Sequence, residues 1–156
     1  MSRLKAASEL SSPPQTELFV HSVPGHLVRR LQQVAVRLFG EHVNGDLTPV
    51  QYAALTAVAD RPNIGQAALA TLIGYDRATI GGVIDRLEQK GWMARIPSAQ
   101  DRRSNALALT EAGTIALAAA TSGVEAAQKN LLAPLGEPER RQFESICLKL
   151  LAHHKG

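Results

Sequence analysis

Residues 66–109 read QAALATLIGYDRATIGGVIDRLEQKGWMARIPSAQDRRSNALAL, and this stretch decides the fold. Its pattern predicts a short helix, a turn at Gly74, a second helix, and then a two-stranded β-hairpin with a basic tip. In the first helix, over residues 66–72, we expect Leu69 and Leu72 to face the core. Two helices joined by a tight glycine-containing turn are typical of a helix-turn-helix.

The second helix has clear start and stop signals. Asp76 can accept hydrogen bonds from the free N–H groups of the first turn, and Gly91 can end the helix. Apolar residues between them recur at i, i+3, i+4 and i+7, which predicts one buried face. That face consists of Ile80, Val83, Ile84 and Leu87.

The opposite face of this helix is unusual for a solvated surface. Gly81 and Gly82 lie in the helix interior, where each glycine costs about 1 kcal/mol relative to alanine. Close approach to another surface would offset that cost, and the DNA major groove admits a helix. Arg77 and Thr79 lie in the first turn, where a recognition helix meets base edges and phosphates. Arg86 flanks the same face, so these residues are candidates for DNA contact.

The hairpin is predicted from strands at residues 92–96 and 106–109, joined by a polar tip at 97–105. The tip contains Arg102 and Arg103. Such a hairpin can insert an arginine into the minor groove beside the site that the helix reads. Alternatively the tip is simply solvated, as charged turns usually are. The helix-turn-helix ahead of it favours the DNA-binding interpretation.

The segment IDRLEQKGW, the hairpin with Asp101, and then LALTEAG resemble the MarR family of winged-helix transcription factors. The resemblance runs from about residue 20 to the C-terminus. It implies a mainly α fold with a small β-hairpin wing, a salt bridge between Asp101 and Arg103, and either Arg102 or Arg103 in the minor groove. Many family members carry arginine or another polar group near Gly82, and this chain does not. Base readout is therefore expected from the first turn of the helix.

The composition bounds the class of protein. A chain of 156 residues is most simply one domain, and 45% hydrophobic residues supply a core. The formal net charge of +3 is compatible with nucleic acid binding. One cysteine excludes an intramolecular disulfide and a cysteine-rich zinc site. We find no apolar run of membrane-spanning length and no signal-peptide core, so we expect a cytoplasmic protein without a membrane partner.

The helices outside the central stretch predict the domain layout. Residues 1–16 are expected to be a flexible arm. A helix that ends near His42 carries an apolar stripe, and a last helix carries another. The resemblance implies that residues 17–45 and 110–156 form a helical dimerisation region, and that 46–109 form the DNA-binding lobe. The two stripes are Leu27, Leu31, Val34 and Leu38, and Phe143, Ile146, Cys147, Leu150 and Leu151.

Two other helix starts are marked by threonine. Thr48, Pro49 and Gln51 form a capping-box pattern. Thr110 begins a long helix to about residue 132, in which Ser122-Gly123 is expected to mark a bend.

A group of basic and aromatic residues is the candidate effector site. A histidine or arginine near an apolar wall suits a carboxylate, whereas the alternative for each basic residue is solvated surface. For the tyrosine, a core position is the simpler interpretation. The group is His21, His26, Arg29, Arg30 and Tyr52.

Three other possibilities carry less weight. His153 and His154 are adjacent in a helix, so their side chains diverge by about 100° and do not chelate as an i, i+4 pair would. Cys147 lies in an apolar face, which raises a thiol pKa and favours a packing role over redox sensing. No catalytic constellation and no cofactor-binding or metal-ligand motif is found, so an enzyme is not expected.

The predicted function is a homodimeric transcription regulator, usually a repressor, that binds double-stranded DNA at a pseudopalindromic operator. The sequence resembles family members that govern aromatic-acid catabolism, which implies an aromatic acid or its coenzyme A thioester as effector. The alternatives are a winged-helix module that binds protein, or a redox-responsive regulator that uses Cys147.

Overall fold

A computed structural model describes residues 22–98 and 105–154 of the chain. The chain forms two compact units, one ending at Val34 and the other beginning at Ala35. Within the described ranges, the helices and strands occur in this order: α1 (Pro24–His42), α2 (Pro49–Asp60), α3 (Gln66–Ile73), α4 (Arg77–Gln89), β1 (Met93–Pro97), β2 (Asn105–Leu109), α5 (Glu111–Leu131) and α6 (Glu137–His153).

The predicted capping interactions are present. Thr48 Oγ1 accepts from the Gln51 backbone N–H at 3.3 Å, and Gln51 Oε1 accepts from the Thr48 N–H at 3.1 Å. At the start of α5, Thr110 Oγ1 accepts from the Gly113 N–H at 3.0 Å and donates to the Gly91 carbonyl at 2.6 Å. The bonds from Gln51, Thr48 and Gly113 satisfy N–H groups that a helix start leaves without partners. The bond from the Thr110 hydroxyl to the Gly91 carbonyl ties the start of α5 to the turn after α4.

The core of the second unit lies among α2, α3, α4 and the hairpin. The apolar face of α4 is buried as predicted. Leu69 of α3 is also buried, but Leu72 is 41% exposed, so its predicted inward orientation was wrong. With about 100° per residue, the buried arc of α3 runs through Leu69, Ala70 and Ile73 and leaves Leu72 outside it. The largest fully buried side chains are Leu55, Leu69, Ile80, Ile84, Leu87, Leu107 and Val58.

The two strands form an antiparallel hairpin in which Met93 pairs with Leu109 and Pro97 with Asn105. The segment before α3 joins the hairpin through an isolated bridge between Gly65 and Ala106. The backbone N–H of Leu107 donates to the Ile64 carbonyl at 2.9 Å, in the same short pairing. The hairpin is therefore anchored to the start of α3 as well as to the end of α4.

Two glycines of α5 allow close backbone packing. A Cβ on Gly113 would overlap the Trp92 carbonyl, and a Cβ on Gly123 would overlap the His42 carbonyl. Near the second contact, the side chains of His42 and Asn130 hydrogen bond at 2.8 Å. The helix α5 continues through Ser122 and Gly123 without interruption. The glycine is needed because α5 packs directly on the end of α1.

The last helix differs from the others, because none of its residues is buried in the single chain. Its exposed apolar side chains are Ile146, Leu148, Leu150 and Leu151. In α1, the part of the predicted stripe that belongs to the first unit is also exposed, at Leu27, Leu31 and Val34. Over residues 22–98 and 105–154, no helix combines the length and apolarity needed to cross a bilayer.

Candidate nucleic-acid interface

The interface begins at the capped N-terminus of α4. The Asp76 carboxylate accepts from the Thr79 backbone N–H at 2.8 Å and from the Thr79 hydroxyl at 2.6 Å. The hydroxyl bond first, and then the backbone bond, hold the pKa of the Asp76 carboxyl below its ordinary value of 3.8. The pKa of Asp76 is lower in the folded than in the unfolded protein, so these hydrogen bonds stabilise the fold fully at pH values above 3.8. That stabilisation is lost as the pH falls through the lowered pKa. The exposed Thr79 hydroxyl, whose hydrogen is donated to Asp76, keeps its oxygen available as an acceptor.

The outer face of α4 is exposed along its length. Arg77, Gly82 and Arg86 are exposed, while the apolar face on the other side fills the core. The N-terminal turn therefore presents backbone N–H groups and a guanidinium on one accessible surface. This is the arrangement with which a recognition helix approaches bases and phosphates.

The two adjacent glycines have different surroundings. A Cβ on Gly81 would lie 3.2 Å from Gln66 Nε2 of α3, whereas a Cβ on Gly82 would meet nothing within 4 Å. Gln66 Nε2 also donates to the Arg77 carbonyl at 3.4 Å, which links the two helices of the helix-turn-helix. Gly82 is therefore open to an outside surface, and the predicted close approach stays a prediction for this residue, whereas Gly81 faces Gln66 inside the lobe.

An ion-pair cluster connects α4 to the hairpin. The Arg95 guanidinium of β1 donates to Glu88 and, at 2.7 Å, to Asp85. The Arg95 backbone N–H donates to Glu88 Oε1 at 3.1 Å. Sequence reasoning missed this cluster. Its signal was two acids near the end of a predicted helix and an arginine in the following strand.

Lys90 is held by its own lobe. Its ammonium donates to the Asp46 carbonyl and lies 4.6 Å from the centre of the Trp92 ring. This cation–π contact and hydrogen bond fix the end of α4 against the loop before α2. Lys90 is therefore a structural cation rather than an obvious phosphate ligand.

The structure brings only part of the predicted DNA-contact set together. Arg77, Thr79, Gly82 and Arg86 are all exposed on α4. Thr79, Gly82 and Arg86 lie within about 60° of one another around the helix, whereas Arg77 lies at its N-terminus, roughly on the opposite side. The wing salt bridge of Asp101 and Arg103, and the minor-groove candidate Arg102, lie outside the described residues.

The predicted effector residues are distributed along the chain. His21 lies outside the described residues, while on α1 His26 is half-buried and Arg29 and Arg30 are exposed. Arg29 Nη2 and His26 Nδ1 are 3.4 Å apart. Tyr52 is half-buried and packs edge-on against Phe39, with ring centroids 6.2 Å apart.

The histidine pair and the cysteine are the remaining candidates from the sequence, for a metal site and for redox sensing. The rings of His153 and His154 pack edge to face at 4.9 Å. Cys147 is half-buried and not disulfide-bonded. In the part of the chain that the structure describes, no three His, Cys, Asp or Glu side chains cluster in a way that could hold a metal ion.

Comparisons with known proteins agree with this architecture. The MarR family model matches residues 47–104. A transcriptional regulatory protein for the hcr operon of Thauera aromatica is 35% identical over 139 residues, which cover 86% of this chain and 84% of that protein.

Two solved structures share the fold. The PcaV transcriptional regulator from Streptomyces coelicolor, in complex with its natural ligand, has a TM-score of 0.81 at 31% identity and covers 88% of this chain and 96% of its own. The transcriptional repressor CouR, bound to a 23-mer DNA duplex, has a TM-score of 0.79 at 29% identity and covers 90% of this chain and 99% of its own.

The helix-turn-helix, its anchored hairpin and these relatives define a winged-helix DNA-binding protein. The chain belongs to the MarR family and is a DNA-binding transcriptional regulator, not an enzyme.

Replacing Gly82 with leucine should weaken DNA binding more than it changes stability. The added side chain meets open space in the free protein, but it would stand between α4 and the groove. We expect operator affinity to fall by about tenfold or more, the size of one lost specific contact, with little change in melting temperature. Gly81→Leu is the matched control, because it should lower the melting temperature through Gln66. If Gly82→Leu lowers stability but not affinity, the close-approach argument is wrong.

Proposed function

We propose that this regulator is a homodimeric repressor that binds a pseudopalindromic operator near its own promoter and is released by a small anionic aromatic effector. The accessible, capped face of α4 is the observation that carries DNA readout. In this proposal residues 46–109 form the DNA-binding lobe and residues 17–45 and 110–156 the dimerisation region, while the predicted arm at 1–16 lies outside the described residues. The cytoplasm is the expected compartment because the operator DNA is there.

The uncovered apolar face of α6 supports dimerisation. Three large aliphatic side chains on one side of this helix, Ile146, Leu150 and Leu151, are exposed in the single chain. Fully burying each such side chain is worth about 1.5–3 kcal/mol, and a two-fold symmetric partner would cover the same face of both copies. A dimer of this kind places its recognition helices about 34 Å apart, one turn of DNA.

Release requires an effector that binds one spacing of the lobes better than the other. The candidates for binding its carboxylate are His21, His26, Arg29 and Arg30, and Tyr52 is a separate candidate for contact with an aromatic ring. An aromatic acid or its coenzyme A thioester suits residues of these kinds. The relatives that regulate the hcr operon and that bind a natural ligand support a ligand-responsive role.

The dimer and its operator can be tested together by light scattering and fluorescence anisotropy on promoter DNA. Ile146→Asp with Leu150→Asp should yield a monomer that binds about a hundredfold more weakly, because linking two binding modules raises affinity by 10²–10⁴. Gln142→Asp with Ser145→Asp, on the other side of α6, should remain a dimer with normal affinity. A variant that stays dimeric, or a monomer that binds as tightly as the parent, contradicts the proposal.

The effector can be found by a thermal-shift screen against aromatic carboxylates and their coenzyme A thioesters, followed by a DNA-release assay. We expect a compound that both raises the melting temperature and frees the DNA, and Arg29→Ala should weaken both effects. Stabilisation without release would indicate an activator or a co-repressor mechanism. Release caused only by an oxidant, and absent in Cys147→Ser, would indicate redox control. Failure to bind any DNA would favour the protein-interaction alternative.

A further inference from the structure

We propose that Arg95 is a positioning residue that fixes the wing against the recognition helix through Glu88 and Asp85, and that tight operator binding depends on this bridge. The inference rests on the proposed function, since it takes α4 and the hairpin to contact DNA together. It assigns a role in DNA binding to residues that do not themselves need to touch DNA.

The geometry of Arg95 suits a joint between two elements. It lies at the middle of β1, paired with Leu107 across the hairpin. Its backbone N–H and its guanidinium both bond to Glu88, and the same guanidinium reaches Asp85 at 2.7 Å. Asp85 and Glu88 are about one turn apart on α4, so the Arg95 side chain binds the helix at two successive turns. The planar guanidinium fixes direction as well as distance, which an ammonium does not.

Two of the three side chains in this bridge are partly buried, so water and salt screen their charges less than those of an exposed ion pair. The Arg95 and Glu88 side chains are 28% and 29% exposed, while Asp85 is 58% exposed. Partly buried pairs are screened less by salt than fully exposed ones. Apart from this bridge, the chain passes from α4 to β1 through a turn at Gly91, where φ is +70°. Without the bridge the hairpin keeps its strand pairing and its anchor at the start of α3, but it loses the ion pairs that join β1 to the outer side of α4.

The charges of this cluster allow a test in which two explanations predict opposite changes in DNA affinity. Asp85 and Glu88 place two carboxylates near a surface that approaches phosphates, and Arg95 neutralises one of them. If only long-range electrostatics mattered, removal of Glu88 would strengthen DNA binding, because it removes a negative charge. If Glu88 acts by holding Arg95 and the wing, its removal weakens binding. The two accounts predict opposite directions for one substitution.

The experiment measures operator affinity over a salt series for the full-length protein and for Glu88→Ala, Glu88→Gln, Arg95→Ala and the Glu88→Ala/Arg95→Ala double variant. We expect Glu88→Ala to bind about three- to tenfold more weakly, in the lower part of the range of coupling between contacting residues. Its salt slope should be unchanged, since no phosphate contact is lost. Glu88→Gln, which keeps the acceptor for the Arg95 N–H, should retain part of the affinity. Asp60→Asn, which removes a carboxylate elsewhere in the lobe, should not weaken binding.

The double variant shows whether Glu88 acts through Arg95. We expect the double variant to bind no more weakly than Arg95→Ala alone, and footprints of these variants to lose protection at the flanks, under the wing, while the centre of each half-site stays protected. Melting temperature and dimer mass, measured alongside, identify any variant that fails to fold, in which case Glu88→Gln supplies the test.

Three results would overturn the inference alone. They are unchanged or tighter binding by Glu88→Ala, losses that add in the double variant, or a salt slope that falls by about one in Arg95→Ala, which marks a direct phosphate contact. A parent protein that binds no promoter DNA would instead overturn the proposed function itself.

Discussion

An Arg102→Ala/Arg103→Ala variant is expected to lose about a hundredfold or more in operator affinity, since each specific arginine contact is worth about 1–3 kcal/mol. The narrow minor groove has an enhanced negative potential, which favours an inserted guanidinium. Arg102 and Arg103, which the sequence predicts at the tip of the wing, would supply that charge at the edge of each half-site. Fluorescence anisotropy on promoter DNA measures the loss, and light scattering should show that the dimer is intact.

The control for this variant removes the same charge elsewhere. Lys129→Ala with Arg141→Ala takes two cations from α5 and α6 and should leave operator affinity nearly unchanged. The two single wing variants then show which arginine enters the groove, because that one should cause most of the loss. Unchanged affinity in the double wing variant would remove the wing from the mechanism.

Gly113→Ala is expected to destabilise the protein by about 3 kcal/mol, near the upper end of the usual overpacking cost. The added methyl group would overlap the carbonyl group of Trp92, which is main chain and cannot rotate away. The start of α5 would have to move away from the turn after α4, and the bond from Thr110 to the Gly91 carbonyl would stretch or break. For a chain of this size the melting temperature should fall by about 6–12 °C.

Gly82→Ala is the matched control for this prediction. The chemical change is the same, but the new methyl group meets nothing within 4 Å. We expect the free energy of unfolding to rise by about 0.5–1 kcal/mol, because alanine restricts the unfolded chain and favours the helix. Both variants must be compared at one protein concentration, since the stability of a dimer depends on it. Equal effects of the two substitutions would refute the close-contact account of Gly113.

The local parts of the site were readable from the sequence. Asp76 and Thr48 cap their helices through groups three residues away, and such bonds depend only on the order of residues. The buried face of α4 follows from a 3.6-residue period. The MarR resemblance supplied the winged-helix architecture, which the comparisons confirm.

Single residues at the margins of these patterns were harder to place. Leu72 fits an inward position by spacing from Leu69, but the buried arc of α3 is centred on the other side. Which way a short helix turns is decided by what packs on it, and Ala70 and Ile73 are preferred there. A helical pattern gives the arc of apolar residues but not its centre when the helix has only two turns.

The sequence by itself determined where α2, α4 and α5 begin and which face of α4 is buried, because each of these depends on neighbours within one or two turns. Only the tertiary structure decided that Arg95 joins the wing to α4, that Gly81 faces α3 while Gly82 faces solvent, and that Gly113 and Gly123 admit a neighbouring carbonyl. These features depend on how closely segments far apart in the chain approach, which is set by the packing of the whole core and not by any local pattern of residues.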